Sequence, residues 1–564
     1  VSTRLTFRDL QRLRQIVGVL TEEGFALFVE ELRIGWLTPF RCRVRCWFRR
    51  TKVCYPVAMG QRAVAAEFPM RFRRTLERLG PTFVKFGQML SLRPDILPIA
   101  YAEELRMLQD SVAPVPGAAI RSRVEQEFGK PIRSRFRAFS AAPVGAASIA
   151  QVHAATLSNG ERVAVKVLRP GVEEIIARDL HLLRYLAELA TAHVEAIQPF
   201  RPVDTIAEFA AWTIRELDLT KEAQAIDRFR EMFHGDESVR IPTVDWERTT
   251  TGVLTMSFVE GMRADDRAAL RKARVDVRAV ARTAVRIALV QFFDAGYFHA
   301  DPHPGNFVIS RDGRLCLYDF GIVGHLDAAT RAHILRAIAA FVERDTDRYL
   351  DAVLEIATVA PDADVAAFRR DARDAVEELY IPHGHRKRIT SVVLTVVERA
   401  ARHGIRFPPD FVLLGKALVT MEASALILDP ALDIEAEMAP FVRALLAREA
   451  SPKRLVEHGA MVARDWAALL QELPQRTRAL FERFERGEVG VKLNLHELQD
   501  FKRELDRQND IRVLTVVTVA VIAASAALLR TDVIARSSAT IGRIGLTLGV
   551  ILVFWLLRLV VRRS

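Results

Sequence analysis

Cysteine is scarce in this chain. Four residues among 564, Cys42, Cys46, Cys54 and Cys316, are too few to suggest a disulfide-stapled domain. Their spacing, without a nearby His, fits no common zinc module. Reduced thiols of a cytosolic domain are the reading that remains. Zinc-finger, RRM and KH patterns are also missing, so no nucleic-acid reader accompanies the net charge of +11. The N-terminus is polar and charged and lacks the apolar h-region of a secretory signal. The length is too great for one core, and two or three domains are expected. An anionic membrane surface is the remaining partner for the basic excess.

What is present centres on Gly296-Tyr297-Phe298-His299-Ala300-Asp301-Pro302-His303-Pro304-Gly305-Asn306. This has the His-x-Asp-x-x-x-x-Asn spacing of a phosphotransfer catalytic loop. Leu317-Tyr318-Asp319-Phe320-Gly321 follows about a dozen residues later and supplies the Asp-Phe-Gly of the same machinery. In such a loop Asp301 orients or deprotonates the acceptor hydroxyl. Asn306 and Asp319 hold Mg²⁺ against nucleotide phosphates. Either motif alone is weak. Together, in this order and separated by a short strand-turn-strand, they are a strong signal for ATP chemistry.

Upstream, two β-rich runs flank the turn Ser158-Asn159-Gly160 and predict a hairpin. Its second strand reads Val163-Ala164-Val165-Lys166, close to the kinase strand whose lysine contacts the phosphates. Helices are expected over 172–196 and 205–230, the second carrying Glu216, Asp218 and Glu222. Met256-Ser257-Phe258-Val259-Glu260-Gly261 looks like a hinge that receives adenine through backbone groups. Helices then dominate: 275–295, 327–358, 364–378, 386–403 and 409–428. The layout is α+β and bilobal, a small mixed lobe followed by a larger helical one, as in protein kinases.

The ends differ from this middle. Residues 5–37 read as amphipathic helices. Arg41 to Lys52 interleaves basic residues with Val44, Trp47 and Phe48, which suits either a membrane surface or an ordinary solvated helix face. In a second helical block, 71–110, Lys85 and Gln88 share one helix face, a solvated one on spacing alone. Residues 451–508 look helical and linker-like. Ile511–Leu529 and Ile544–Val561 are apolar runs near the lower length limit for crossing a bilayer. A transmembrane hairpin is the direct reading, and a buried helix pair the alternative. Gly545 and Gly549 would allow close helix approach. ATP chemistry requires the kinase-like lobes to be cytoplasmic, which puts the 530–543 loop outside.

These marks together resemble the UbiB (aarF-domain, ADCK) family of atypical kinase-like proteins, whose bacterial members act in ubiquinone biosynthesis. The resemblance rests on Lys85-Phe86-Gly87-Gln88, the loop Gly145-Ala146-Ala147-Ser148, Lys166, Glu216-x-Asp218, the Asp301–Asn306 loop and Asp319-Phe320-Gly321. Leu414-Gly415-Lys416 with Leu428-Asp429-Pro430 is a less specific mark. It implies a helical N-terminal extension (1–67 basic helices, 68–130 with the Lys85–Gln88 motif), a small lobe (131–262) and a large lobe (263–445). A linker (446–510) and the membrane hairpin (511–561) complete it. Lys85 and Gln88 would lie over the nucleotide cleft and block the usual protein-substrate site. Ala146, Ala147 and Ser148 would replace the Gly-rich phosphate loop, with less backbone freedom. Glu216 becomes the ion-pair partner of Lys166, with Glu173 or Glu174 as the weaker alternative. ATP and Mg²⁺ are the implied cofactors. Prenylated quinone precursors, membrane lipid and quinone-biosynthesis proteins are the implied partners, at the bacterial inner membrane.

Two departures from protein kinases matter. No Ala-Pro-Glu and no long activation loop follow Gly321, so a peptide-docking platform is missing. His303 stands where protein kinases commonly have a lysine, two residues after the Asp. An ATPase or lipid-directed kinase is therefore expected, with a true protein kinase, a pseudokinase scaffold and an antibiotic-type phosphotransferase as alternatives. Ring hydroxylation finds no support, for want of a flavin fingerprint or iron-ligand cluster.

Overall fold

Thr6 starts the first helix, α1 (Phe7–Glu22), with a reciprocal cap: its hydroxyl accepts from Asp9 N while Asp9 accepts from Thr6 N. Leu13, Ile16 and Val17 repeat at helical spacing and are buried. The computed structural model describes residues 6–38, 61–91, 93, 97, 99–108, 113–361, 363–380, 389–449 and 547–548. Helices α2 (Gln61–Leu79) and α3 (Pro81–Ser91) complete the core of the extension. Gly87 sits where a Cβ would come within 2.4 Å of a Leu108 methyl and 2.6 Å of a Leu76 methyl, so a larger residue would have to push both side chains aside. Arg12 ties the extension to the next unit of structure with a two-point ion pair to Asp179, at 2.8 and 2.9 Å.

The small lobe is built on helix α4 (Gly117–Phe128) and strands β1 (Ala138–Ala146), β2 (Ala150–Thr156) and β3 (Arg162–Leu168). Val163, Val165 and Val167 of β3 alternate onto one face and pack with Ile120 and Val124 of α4. The expected hairpin turn is there, with Gly160 at φ 88° supplying the left-handed residue the turn needs. Helices α5 (Val172–His193), α6 (Pro202–Glu216) and α7 (Leu219–Met232) follow.

The single helix expected over 205–230 is two. Asp218 leaves helical geometry and accepts from Thr220 N at 3.0 Å, so it caps a new helix instead of continuing the old one. The helix expected over 327–358 also breaks, at Arg344 (φ 58°) and the capping Asp345. The run Ile241–Val244 forms no strand. The short β4 (Val239–Arg240) precedes it, and Val244 only bridges Met256. Strand β5 (Val253–Ser257) closes an antiparallel sheet of order β1-β2-β3-β5.

The larger lobe begins with helix α8 (Val277–Leu289), which runs into a π turn, Val290–Ala295. Strands β6 (Tyr297–His299) and β9 (Val323–His325) pair with each other, while β7 (Phe307–Ile309), β8 (Leu315–Leu317) and β4 form a second small sheet. The apolar helix α9 (Pro409–Leu428) runs through the lobe's core, with Leu414, Ala417, Met421 and Ala425 buried. Among the described residues it is the one helix long and apolar enough to cross a membrane, and its burial makes it a core helix. The chain divides at Ser451, with Pro452–Ser564 as a second unit. The apolar runs 511–529 and 544–561, the basic stretch 41–52 and the linker 451–508 lie outside the described residues, save Thr547 and Leu548.

Candidate active site

Lys166 projects from β3 between two carboxylates. Its Nζ lies 2.8 Å from Glu222 Oε1 and 3.4 Å from Asp319 Oδ1. Burial pulls the ammonium down, but Asp319 and Glu222 more than offset it and hold Lys166 above its ordinary range. Burial likewise opposes ionisation of Asp319, yet Lys166 and the Gly321 N–H bring that carboxyl down to about 2. Burial pushes Glu222 up, against the pull of Lys166.

Glu216 is therefore not the partner of Lys166. It ends α6, before the helix break, and pairs with Lys85 at 2.5 Å. Glu222 lies in the first turn of α7, beyond the break, and faces β3. The helix interruption at Leu217-Asp218 is what separates the two roles. Glu173, the weaker alternative, bonds Arg123 instead. Lys85 is buried and also lies 5.7 Å over the Trp212 ring. Gln88 donates to the Leu108 carbonyl at 3.3 Å, so it is not brought to the Lys166 cluster.

The loop Ala146-Ala147-Ser148 is a tight link between β1 and β2. Ala147 N–H donates to the Ala150 carbonyl at 2.8 Å, and the Ala147 carbonyl accepts from Arg169 Nε at 2.9 Å. The Ala147 N–H, of the kind a phosphate loop would aim at its ligand, is thus engaged within the protein. Ser148 is buried. Gly145 has open space where a Cβ would stand, so its glycine answers no steric need.

The segment expected as a hinge runs from β5 through Gly261, where a Cβ would come within 2.9 Å of the Ile309 carbonyl oxygen. Met262 and Ile309 exchange two backbone hydrogen bonds of 2.8 Å there. Glu260 is exposed and pairs with Arg162, whose guanidinium lies 4.4 Å over the Phe258 ring.

His299 joins the catalytic loop to the Asp-Phe-Gly. Its Nδ1 accepts from Asp301 N at 3.0 Å, and its Nε2 lies 2.5 Å from the Asp319 carbonyl oxygen. These partners require a neutral ring with the proton on Nε2. Burial pulls its pKa down, which agrees. Gln291, presented by the π turn, accepts from His299 N at 2.9 Å. Phe320 is buried against Phe229 of α7 (4.9 Å) and His299 (5.7 Å). These tilted ring contacts connect the helix of Glu222 to the loop that follows His299.

Asn306 donates through Nδ2 to the Asp301 carbonyl at 2.9 Å, which leaves its amide oxygen as an acceptor. With the Asp319 carboxylate, this gives a hard oxygen donor set of the kind Mg²⁺ takes when phosphates complete the shell. No cluster of three or more His, Cys, Asp or Glu that could hold a metal occurs among the described residues.

Asp301 has a partner that motif reading did not assign. Lys416 Nζ of α9 lies 3.1 Å from Asp301 Oδ1. Its sequence neighbourhood, Leu414-Gly415-Lys416, is among the family marks, but nothing in the spacing points from position 416 to position 301.

The ABC1 atypical kinase-like domain matches residues 107–353, and the UbiB helical domain matches residues 375–433. A probable protein kinase UbiB of Marinobacter nauticus is 35% identical over 415 residues, which is 72% of this chain and 75% of that one. The protein of the same name from Aeromonas salmonicida is 32% identical over 521 residues, covering 90% of this chain and 92% of its own.

The chain belongs to the UbiB family.

Its kinase-like fold follows from that membership. The solved complex of Rv3197 with erythromycin from Mycobacterium tuberculosis is 24% identical, with a TM-score of 0.44. It matches over 66% of this chain and 95% of its own. In UbiB terms, the described residues bring Lys166, Glu222 and Asp319 together and set Lys85 on Glu216. Glu222 is the residue that the sequence reading left without a role. Its place in the first turn after a capping Asp was the available signal.

Proposed function

We propose that this UbiB-family chain is a membrane-anchored ATPase or lipid-directed kinase that uses ATP and Mg²⁺ to support prenylquinone biosynthesis. Lys166 held between Glu222 and Asp319 carries the reading, because it is the arrangement that fixes nucleotide phosphates and a magnesium ligand together. Asn306 and Asp319 would hold the metal, which supplies charge neutralisation at the phosphates. Asp301 would accept the proton of water or of an acceptor hydroxyl, and the hinge before Gly261 would take the adenine. Ala146, Ala147 and Ser148 would border the phosphates without wrapping them. The apolar runs 511–529 and 544–561 support a hairpin anchor in the inner membrane, with the lobes on the cytoplasmic side. Substrates with long prenyl tails would then be reached in the plane of the bilayer.

A protein kinase is the second reading, favoured by the name that the relatives carry. Only six residues separate Gly321 from the helix Ala328–Val342, too few for a peptide platform. The deciding experiment uses the full chain in liposomes. ATP hydrolysis and phosphate transfer are measured with and without prenylphenol-like compounds. Hydrolysis that rises with those compounds and disappears in Asp319→Asn is the expected result. Labelled phosphate on protein acceptors would favour the second reading, and no nucleotide binding in the wild type would end both.

A further inference from the structure

The catalytic loop lacks a cation of its own. His303 occupies the position two residues after Asp301, but its Nδ1 accepts from Gly305 N at 3.1 Å and the ring folds back on its own loop. Lys166 is committed to Glu222 and Asp319. The positive charge at Asp301 comes from 115 residues further along the chain, as Lys416 at 3.1 Å.

The helix that delivers it is anchored on both halves of the site. Ser424 Oγ donates to the Pro302 carbonyl at 2.8 Å, next to Asp301. Asp410, in the helix's first turn, accepts from His325 N at 3.2 Å, in the strand that follows the Asp-Phe-Gly. Between these anchors Leu414, Ala417 and Met421 are buried. Lys416 itself is about a fifth exposed and Asp301 about a third, so the pair lies where the site is partly open.

We propose that Lys416 is the positioning residue for Asp301, a lysine supplied by α9 in place of the one missing from the loop. It aims the carboxylate at the acceptor and offsets the negative charge brought by the transferring phosphoryl group. The inference rests on the phosphate chemistry proposed above. In that step the acceptor O–H proton passes to Asp301 and the acceptor oxygen bonds to the γ-phosphorus. The bond from that phosphorus to the β,γ-bridging oxygen breaks, and ADP leaves with the electron pair.

The test is made on the full chain in liposomes with three variants: Lys416→Met, Lys416→Arg, and Lys416→Met combined with His303→Lys. Turnover of ATP and affinity for Mg-ADP are measured for each. Lys416→Met is expected to lose about 100-fold in kcat while its Mg-ADP affinity stays within about twofold. Lys416→Arg keeps the charge and is expected to regain most of the loss. Moving the lysine into the loop, at position 303, is expected to recover at least about tenfold. Turnover in Lys416→Met within about threefold of wild type overturns the inference and leaves the ATPase reading standing. A loss that neither the arginine nor the relocated lysine repairs overturns it as well, and marks Lys416 as structural. A wild type without nucleotide turnover overturns the ATPase reading and this inference together.

Discussion

Six positions separate two glutamates with different duties. Glu216 holds Lys85 of the extension, and Glu222 holds Lys166 of the sheet. Removing one member of a buried ion pair costs up to about 3–5 kcal/mol, and less where the other member keeps a second partner. Both Glu216→Ala and Glu222→Ala should therefore lower the urea midpoint. Glu222→Ala alone should also abolish ATP turnover, because Lys166 loses the group that aims it. Equal turnover in the two variants would contradict this division. The acid range offers a second check. Asp319 has a carboxyl depressed to about 2 from an ordinary 3.8. Its contribution to stability is complete above the unfolded value and is lost as pH falls through the folded one. Asp319→Asn should thus be less stable than wild type at neutral pH, with a gap that closes between about pH 4 and pH 2. A gap that is constant across that window would show that the carboxylate's charge is not what matters.

At the scale of elements, two glycines, Gly145 near the end of β1 and Gly261 after β5, make opposite predictions. Gly145 borders open space, so Gly145→Ala should be neutral or stabilise by up to about 1 kcal/mol through the unfolded chain. Gly261 lies against the Ile309 carbonyl and the Val308 side chain. There Gly261→Ala should break the hinge pairing of Met262 with Ile309, costing about 1–3 kcal/mol and weakening nucleotide binding. Thermal midpoints and Mg-ADP affinities of the two variants test both statements. Element reading also marks what was visible in advance. The Val163–Val167 alternation, the Asn159-Gly160 turn and the motif loops all announce local structure, and the hairpin and β7–β8 pairing follow. Helix interruptions at Asp218 and Asp345 were written there too, as capping residues, but continuous apolar spacing on either side concealed them. What local pattern could not supply was register across long separations. The pairings of Lys166 with Glu222, Lys85 with Glu216 and Asp301 with Lys416 are set by how α3, α7 and α9 pack.

For the whole molecule, the division at Ser451 carries a direct expectation. A chain ending at residue 451 retains the cores of the extension and of both lobes. It should fold and bind Mg-ADP with the affinity of the full chain, yet no longer sediment with liposomes made of anionic lipid. Continued sedimentation would move the membrane contact to the N-terminal basic stretch. Loss of folding would show that the second unit is needed for stability.

The inward-turned amide of Ala147 has a consequence for ligand selectivity. Where a phosphate loop donates several N–H groups, most of the affinity for a nucleotide resides in its phosphate tail. Here one such donor, the Ala147 N–H, is already satisfied by Ala150, which leaves more of the hold on the tail to cations and metal. Affinity should shift toward the base and sugar, and removing the phosphates should cost less than in an enzyme with a glycine-rich loop. Adenosine-like compounds that fill the hinge would be the better starting point for inhibitors of this site, and polyphosphate mimics the poorer one.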